Sequence, residues 1–272
     1  MTAFRWRLLA LVATYCLLGC QPNVVIGQWN CPASTSDADA GAAPDIAAPI
    51  SIPWLTGFEN RFCDFTTIPT GFCTKPEQYS IVTSPAKSGH YAAAFNVVAV
   101  DGGTSQQSRC GRQGTLPPSA YYGAWYFLPA SATNSNLWNL FHFQGADTPT
   151  AVPHGLWDVS LMSGVDGALN ARVLDFLWRG TPGGNVADAP VPVPIGTWFH
   201  LEFFLRRAKD GTGEAALYQD GVRVVHYANV ITDNTNWGQW FVGNLADSLN
   251  PPDSTVYVDD VTIAATLGYS PP

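Results

Sequence analysis

Apolar and polar residues alternate through most of this chain in short runs punctuated by Gly, Pro, Asn and Asp. That period of two is the signature of half-buried strands. The clearest runs are Gly196 to Leu205, Glu214 to Gln219, Val222 to Val225 and Val256 to Ile263, all rich in β-branched and aromatic residues. Between the second and third sits Asp220-Gly221, which supplies the positive φ a tight hairpin turn needs. The pattern predicts strand, loop, strand, turn, strand, long loop and a last strand. Upstream, Thr56 to Glu59, Tyr79 to Thr83, His90 to Val97, Arg109 to Arg112, Tyr121 to Pro129 and Leu137 to Gln144 read as strands. Leu156 to Met162 and Ala168 to Trp178 make a hairpin turning at Asp166-Gly167. With no repeat and no sustained helical period, roughly a dozen strands imply an all-β sandwich of two antiparallel sheets.

The first residues break the pattern. Arg5 and Arg7 precede the apolar run Leu8 to Leu18, too short to span a bilayer as a stable helix and suited to an export signal. The run ends Leu17-Leu18-Gly19-Cys20, which resembles the bacterial lipobox. The resemblance implies cleavage before Cys20 and lipid on that residue, so residues 1–19 are a signal peptide. Gln21 rather than Asp after the Cys implies, by analogy with Gram-negative lipoproteins, passage to the outer membrane. Residues 20–52 are rich in Ala, Pro, Ser and Asp, cannot bury a core and read as a flexible tether. The folded domain is assigned to residues 53–268, and a monomer is expected.

Charge narrows the partners. A net charge of -8 and a pI of about 4.9 lack the basic footprint of a nucleic-acid binder. The membrane enters only through the lipid. Once Cys16 leaves with the signal and Cys20 is acylated, Cys31, Cys63, Cys73 and Cys110 remain for disulfides in an oxidising compartment. Four cysteines allow three connectivities. Cys63–Cys73 closes the shortest loop and is favoured, which leaves Cys31–Cys110.

The closing strands, the Phe58-Glu59 start, Ser88-Gly89 and the final Val258-Asp259-Asp260-Val261 together resemble the concanavalin A-like jelly roll. This fold is shared by legume-type lectins, glucanases, carbohydrate-binding modules and polysaccharide lyases. The resemblance implies a polysaccharide partner. It also implies a structural calcium, an ion that takes six to eight oxygens, held by Glu59 and Asp259 with backbone carbonyls. Alternation puts Asp260 on the opposite face from Asp259.

On Leu137 to Gln144, alternation places Trp138, Leu140, His142 and Gln144 on one face and Asn139, Phe141 and Phe143 on the other. The first face is expected to line the groove, with Trp138 stacking on a sugar ring. Jelly-roll lyases carry Gln–x–His on this strand, whereas His142-Phe143-Gln144 has the reverse order. Elimination from a uronate needs a cation beside the carboxylate and a base for the adjacent proton. Arg109 and Arg112 are the cation candidates, on opposite faces of a regular strand. His142, Gln144 and Tyr126 are candidates for the chemistry, and Tyr122, on the same face as Tyr126, for substrate binding. The lyases' late Tyr-Phe-Lys-x-Gly-x-Tyr segment is replaced by Gly238 to Leu245, which leaves the usual tyrosine without a counterpart. A glucanase's Glu-x-Asp-x-x-Glu run is absent. Asp158 and Asp175 can meet across their hairpin, where a solvated pair is the simpler reading. Two functions remain open: a lyase acting on a uronate glycan, and a non-catalytic glycan-binding or structural envelope protein.

Overall fold

The computed structural model describes residues 24–25, 31, 50–66, 71–74, 78–100, 102–134, 137–164, 167–176, 183–185 and 191–269. The expected signal, lipobox and most of the expected tether lie outside these residues, as do Asp166 and Trp178. Three parts of the tether are placed, and its last residues join the core: Ile50 is buried and donates its N–H to the Thr115 carbonyl at 2.9 Å. Val24–Val25 pairs with Tyr79–Val82, and Cys31 is bonded to Cys63.

Apart from the short pair of Thr133–Asn134 with Leu249–Asn250, the described strands build two antiparallel sheets face to face. The first, of nine strands, runs Val24–Val25, Tyr79–Val82, Ala92–Val98, Asp253–Ala264, Ser119–Phe127, Trp198–Arg206, Gly213–Gln219 and Val222–Val230, with Trp54–Thr56 also paired to Asp253–Ala264. The second, of seven, runs Gly183–Asn185, Leu169–Asp175, His154–Ser163, Trp138–Ala146, Trp237–Ala246, Gln106–Gly114 and Gly71–Thr74. Neighbours in both sheets come from distant parts of the chain, as a jelly roll requires.

Alternation decides which side chains enter the sandwich. On Trp198–Arg206, Phe199, Leu201, Phe203 and Leu205 are fully buried between the sheets. Rings from the two sheets interlock there, with Tyr122 on Phe143 at 5.0 Å, Phe143 on Phe203 at 5.1 Å and Tyr126 on Phe141 at 5.4 Å. Burying a large side chain of this kind contributes about 1.5–3 kcal/mol, so these rows hold the sheets together. The Asp220-Gly221 hairpin forms as expected, with φ of 49° and 77° at its two central residues.

Several expectations are corrected. The disulfides are Cys31–Cys63 and Cys73–Cys110, not Cys63–Cys73 with Cys31–Cys110. Strand pairing overrides loop length here. Gly71–Thr74 lies against Gln106–Gly114 with Cys73 directly opposite Cys110, while Cys63 opens a short helix, Cys63–Thr66. The expected long loop before the last strand contains Trp237–Ala246, which lies inside the second sheet. The expected first strand stops at Thr56, because Phe58 turns to φ 58° and drops its ring into the core.

Candidate functional site

A cleft of about 770 Å³ lies on the open face of the seven-stranded sheet. Its floor comes from Trp138–Ala146, and this strand does not alternate throughout. Its pairing shifts register between Val159 and Ser160 on one side and between Val242 and Leu245 on the other. Leu140 and Phe141 therefore both turn inward, and the phase inverts toward the start of the strand. Asn139, His142 and Gln144 line the cleft, and Trp138 lies in the core. The second bulge requires glycine. Gly243 has φ 144°, and a Cβ there would sit 2.5 Å from the Ser108 carbonyl oxygen and 2.7 Å from Arg109 Cα.

His142 stands at the centre of the floor. Across the sheet it is flanked by Phe241 on one neighbouring strand and Asp158 on the other. Its Nδ1 is bonded to the Asp158 carboxylate, and Asp158 is only 2% exposed. A carboxylate accepts from Nδ1–H, so in the neutral ring the proton belongs on Nδ1 and Nε2 is the nitrogen with the free lone pair. That Nε2 is buried without a protein hydrogen-bond partner. Buried polar atoms in this state are uncommon and point to a ligand or water.

Arg109 supplies the positive charge. Its guanidinium lies 3.9 Å from the centre of the Phe241 ring, and Nε and Nη1 have no hydrogen-bond partner. Burial lowers its pKa to about 10 and the charge of Asp158 pulls it back up, so it remains a cation at neutral pH. Asn139 accepts from the Ser160 hydroxyl at 2.5 Å and keeps an unpartnered Nδ2. Arg172 lines the cleft from the other side with an unpartnered Nε. The site thus offers one base nitrogen and several unmet donors, the complement of an anionic, oxygen-rich ligand.

Four expected site residues lie elsewhere. Trp138 is fully buried, its Nε1 donating to Asn244 Oδ1 at 3.0 Å. Tyr122 and Tyr126 do share a face, but it is the inner face of the nine-stranded sheet. Burial raises both phenols, and the Tyr126 hydroxyl donates to the Leu140 carbonyl at 3.2 Å. Arg112 faces inward and packs over the Trp54 ring at 4.7 Å, burial lowering its pKa to about 10. Sequence reasoning missed Asn139, Arg172, Phe241 and the role of Asp158. The alternation of Asp158, Ser160 and Met162 with Trp157, Val159 and Leu161 carried a signal for the last, since the second set is apolar and packs in the core between the sheets.

The proposed calcium residues converge on one loop. Glu59 Oε1 accepts from the backbone of His90 at 2.7 Å and Tyr91 at 3.1 Å. Asp259 Oδ2 accepts from Lys87 N at 2.9 Å and Ser88 N at 3.2 Å. Asp260 turns to φ 45° and accepts from the Ser88 hydroxyl at 2.8 Å, so both aspartates reach the loop, contrary to strict alternation. No three acidic, His or Cys groups among the described residues are arranged as a ready metal site. The two carboxylates are engaged by four backbone N–H groups of the 87–91 loop.

No protein-family model matches the sequence, and no curated protein matches it either. Solved structures do match. An endo-β-1,4-glucuronan lyase from the fungus Trichoderma reesei superposes with a TM-score of 0.57 at 17% identity, over 79% of this chain and 96% of that one. The chain has the jelly-roll fold of these lyases. The cellulose induced protein Cip1 matches at 0.52 and 16% identity, over 80% of this chain and 100% of that one. The alginate lyase Aly36B matches at 0.54 and 11%, over 77% and 92%. At such identities the likeness fixes the fold, and the chemistry rests on the cleft.

Proposed function

We propose that this protein cleaves a uronate-containing polysaccharide by β-elimination in the cleft around His142. The observation that carries the reading is the His142–Asp158 pair beside Arg109: a base nitrogen with its tautomer fixed, next to an unneutralised guanidinium. Arg109 pairs with the substrate carboxylate and withdraws charge, which makes the C5 hydrogen acidic. His142 Nε2 takes that proton. Gln144 and Asn139 bond sugar hydroxyls from the same floor. The cleft's volume lies within the range typical of ligand sites. The Leu17-Leu18-Gly19-Cys20 motif supports membrane attachment through lipid on Cys20, and Gln21 after it supports the outer membrane. A calcium held by Glu59 and Asp259 belongs to this reading as a structural ion.

A second reading, glycan binding without catalysis, draws support from the cleft's lack of a tyrosine among the described residues. The two separate cleanly. A panel of uronate and neutral polysaccharides is followed for the ultraviolet absorbance of the unsaturated product, with gel retardation in parallel. Product that disappears in His142→Ala supports the lyase. Retardation without product on any uronate polymer supports the binder.

A further inference from the structure

The outer face of the nine-stranded sheet carries apolar side chains where a sheet facing only water alternates to polar ones. Val82, Ala92, Ala94 and Tyr257 form a small buried cluster there, separate from the core, with Ala86, Phe127 and Trp198 packed against it and partly exposed. Register lines the largest of them up across neighbouring strands. Ala94 lies opposite Tyr257, Tyr257 opposite Phe127, and Phe127 opposite Trp198. The Phe127 ring meets Trp198 at 5.6 Å and Tyr257 at 5.9 Å. Val98, on the strand and face of Ala94, is 49% exposed, and Ile195, three residues before Trp198, is 41% exposed. Lys87, next to Ala86, holds its ammonium 4.1 Å from the centre of the Trp125 ring, so a cation borders the patch.

We propose that this row lies on the lipid surface to which Cys20 anchors the chain, and so turns the His142 cleft away from the membrane. The inference rests on the reading of Cys20 as lipidated and adds a protein surface to it.

The chain between anchor and sheet sets the distance. Val24 pairs with Val82 at the edge of the nine-stranded sheet. Cys20 precedes Val24 by four residues, which span at most about 14 Å. An acylated Cys20 therefore holds this edge of the sheet at the membrane, whatever the length of the rest of residues 20–52. From the strand of Val82 to that of Trp198 there are four strand intervals, about 19 Å at the usual spacing. The patch thus starts beside the anchored edge and runs along the face from it. Partly exposed Trp and Tyr suit a membrane interface, where one part of the ring is apolar and the other wet. A net charge of -8 gives no general attraction to an anionic surface. The anchor supplies the attraction, by keeping a weak apolar contact at high local concentration.

The consequence for the cleft follows from the layering. The two sheets lie face to face, and the cleft opens on the outer side of the seven-stranded one. Resting the opposite outer face on lipid leaves the cleft open to a polysaccharide arriving from solution.

The test uses the full-length protein, isolated with its membranes and carrying the photoreactive residue p-benzoylphenylalanine at one position at a time. Phe127 and Trp198 probe the patch in separate variants, each checked by its melting curve, so that one misfolded variant leaves the other. Tyr121 is the control, on the same strand and face as Phe127 and six residues away, about 20 Å. Lipid adducts formed on illumination are read by mass spectrometry. The expected result is at least about tenfold more lipid adduct at Trp198 and Phe127 than at Tyr121, well under the gain that tethering gives a weak contact. Membrane-bound protein with equal adduct at all three positions, with none at Trp198 and Phe127, or with adducts there to protein instead of lipid overturns the inference and leaves the anchor reading standing. Protein found only in the soluble fraction overturns the anchor reading and the inference together.

Discussion

Trp138 gives the sharpest contrast between a sugar-binding surface and a structural core. Its side chain is fully buried, and its indole donates to Asn244. Asn244 in turn donates to the Phe95 carbonyl at 3.2 Å and the Ser254 carbonyl at 3.1 Å, both on the opposite sheet. Trp138 therefore holds the residue that bridges the sandwich. Truncating a buried Trp to Ala costs about 3–5 kcal/mol. Leaving the buried Asn244 oxygen without its donor adds about 1 kcal/mol or more. Against a typical stability of about 5–15 kcal/mol, Trp138→Ala should be barely folded. At about 2–4 °C per kcal/mol for a domain of this size, the melting temperature should fall by on the order of 10 °C. Trp138→Phe keeps most of the apolar volume and isolates the hydrogen bond, so its loss should be about 1–2 kcal/mol. Denaturation midpoints measure both variants, and gel retardation at a temperature where Trp138→Phe is folded measures glycan binding. The account expects Trp138→Phe to bind as wild type does. A Trp138→Ala protein with an unchanged midpoint and lost glycan binding would refute the placement in the core.

Three further predictions address other parts of the molecule. His200 is buried beside Trp125 and Tyr269; burial first, then the charge of Lys87, lowers its pKa from the usual 6.5 to about 4. Between those values the unfolded chain binds a proton that the folded one refuses. This contribution is complete above pH 6.5 and is lost as pH falls toward 4, by at most about 3 kcal/mol. Denaturation midpoints at pH 7.5 and 4.5 should differ less in His200→Gln than in wild type, and equal differences would contradict the assignment. If calcium links Glu59 and Asp259, adding it to metal-free protein should raise the melting temperature, and Asp259→Ala should abolish that response; an unresponsive wild type removes the ion from the account. Cys20→Ser should move the protein from the membrane to the soluble fraction, and a variant that stays membrane-bound would show that the anchor lies elsewhere.

The fold was legible in the sequence because period-two alternation and turn residues are local signals. Trp198–Arg206 and the Asp220-Gly221 hairpin appear where the pattern puts them. The site was only half legible. His142, Gln144 and Arg109 could be put on the cleft face because their strands alternate regularly around those positions. Trp138 was misplaced because a bulge reverses the phase between Leu140 and Phe141, and bulges are set by pairing with neighbouring strands. Tyr122 and Tyr126 share a face, as expected, but which sheet carries that face depends on topology. Asp158 could be assigned to an open face but not to His142, since that pairing is a matter of register between two strands. The disulfides failed for the same reason: Cys73 and Cys110 meet through sheet pairing between segments 37 residues apart.

The central claim is that His142, held by Asp158 beside Arg109, removes a proton from a uronate. The most direct measurement compares wild type and His142→Ala on polymannuronate and glucuronan, reading unsaturated product and gel retardation from the same preparations. The account predicts product from wild type, a loss of at least about 100-fold in the variant, and retardation that largely survives. Product formation unchanged in a folded His142→Ala protein would contradict it.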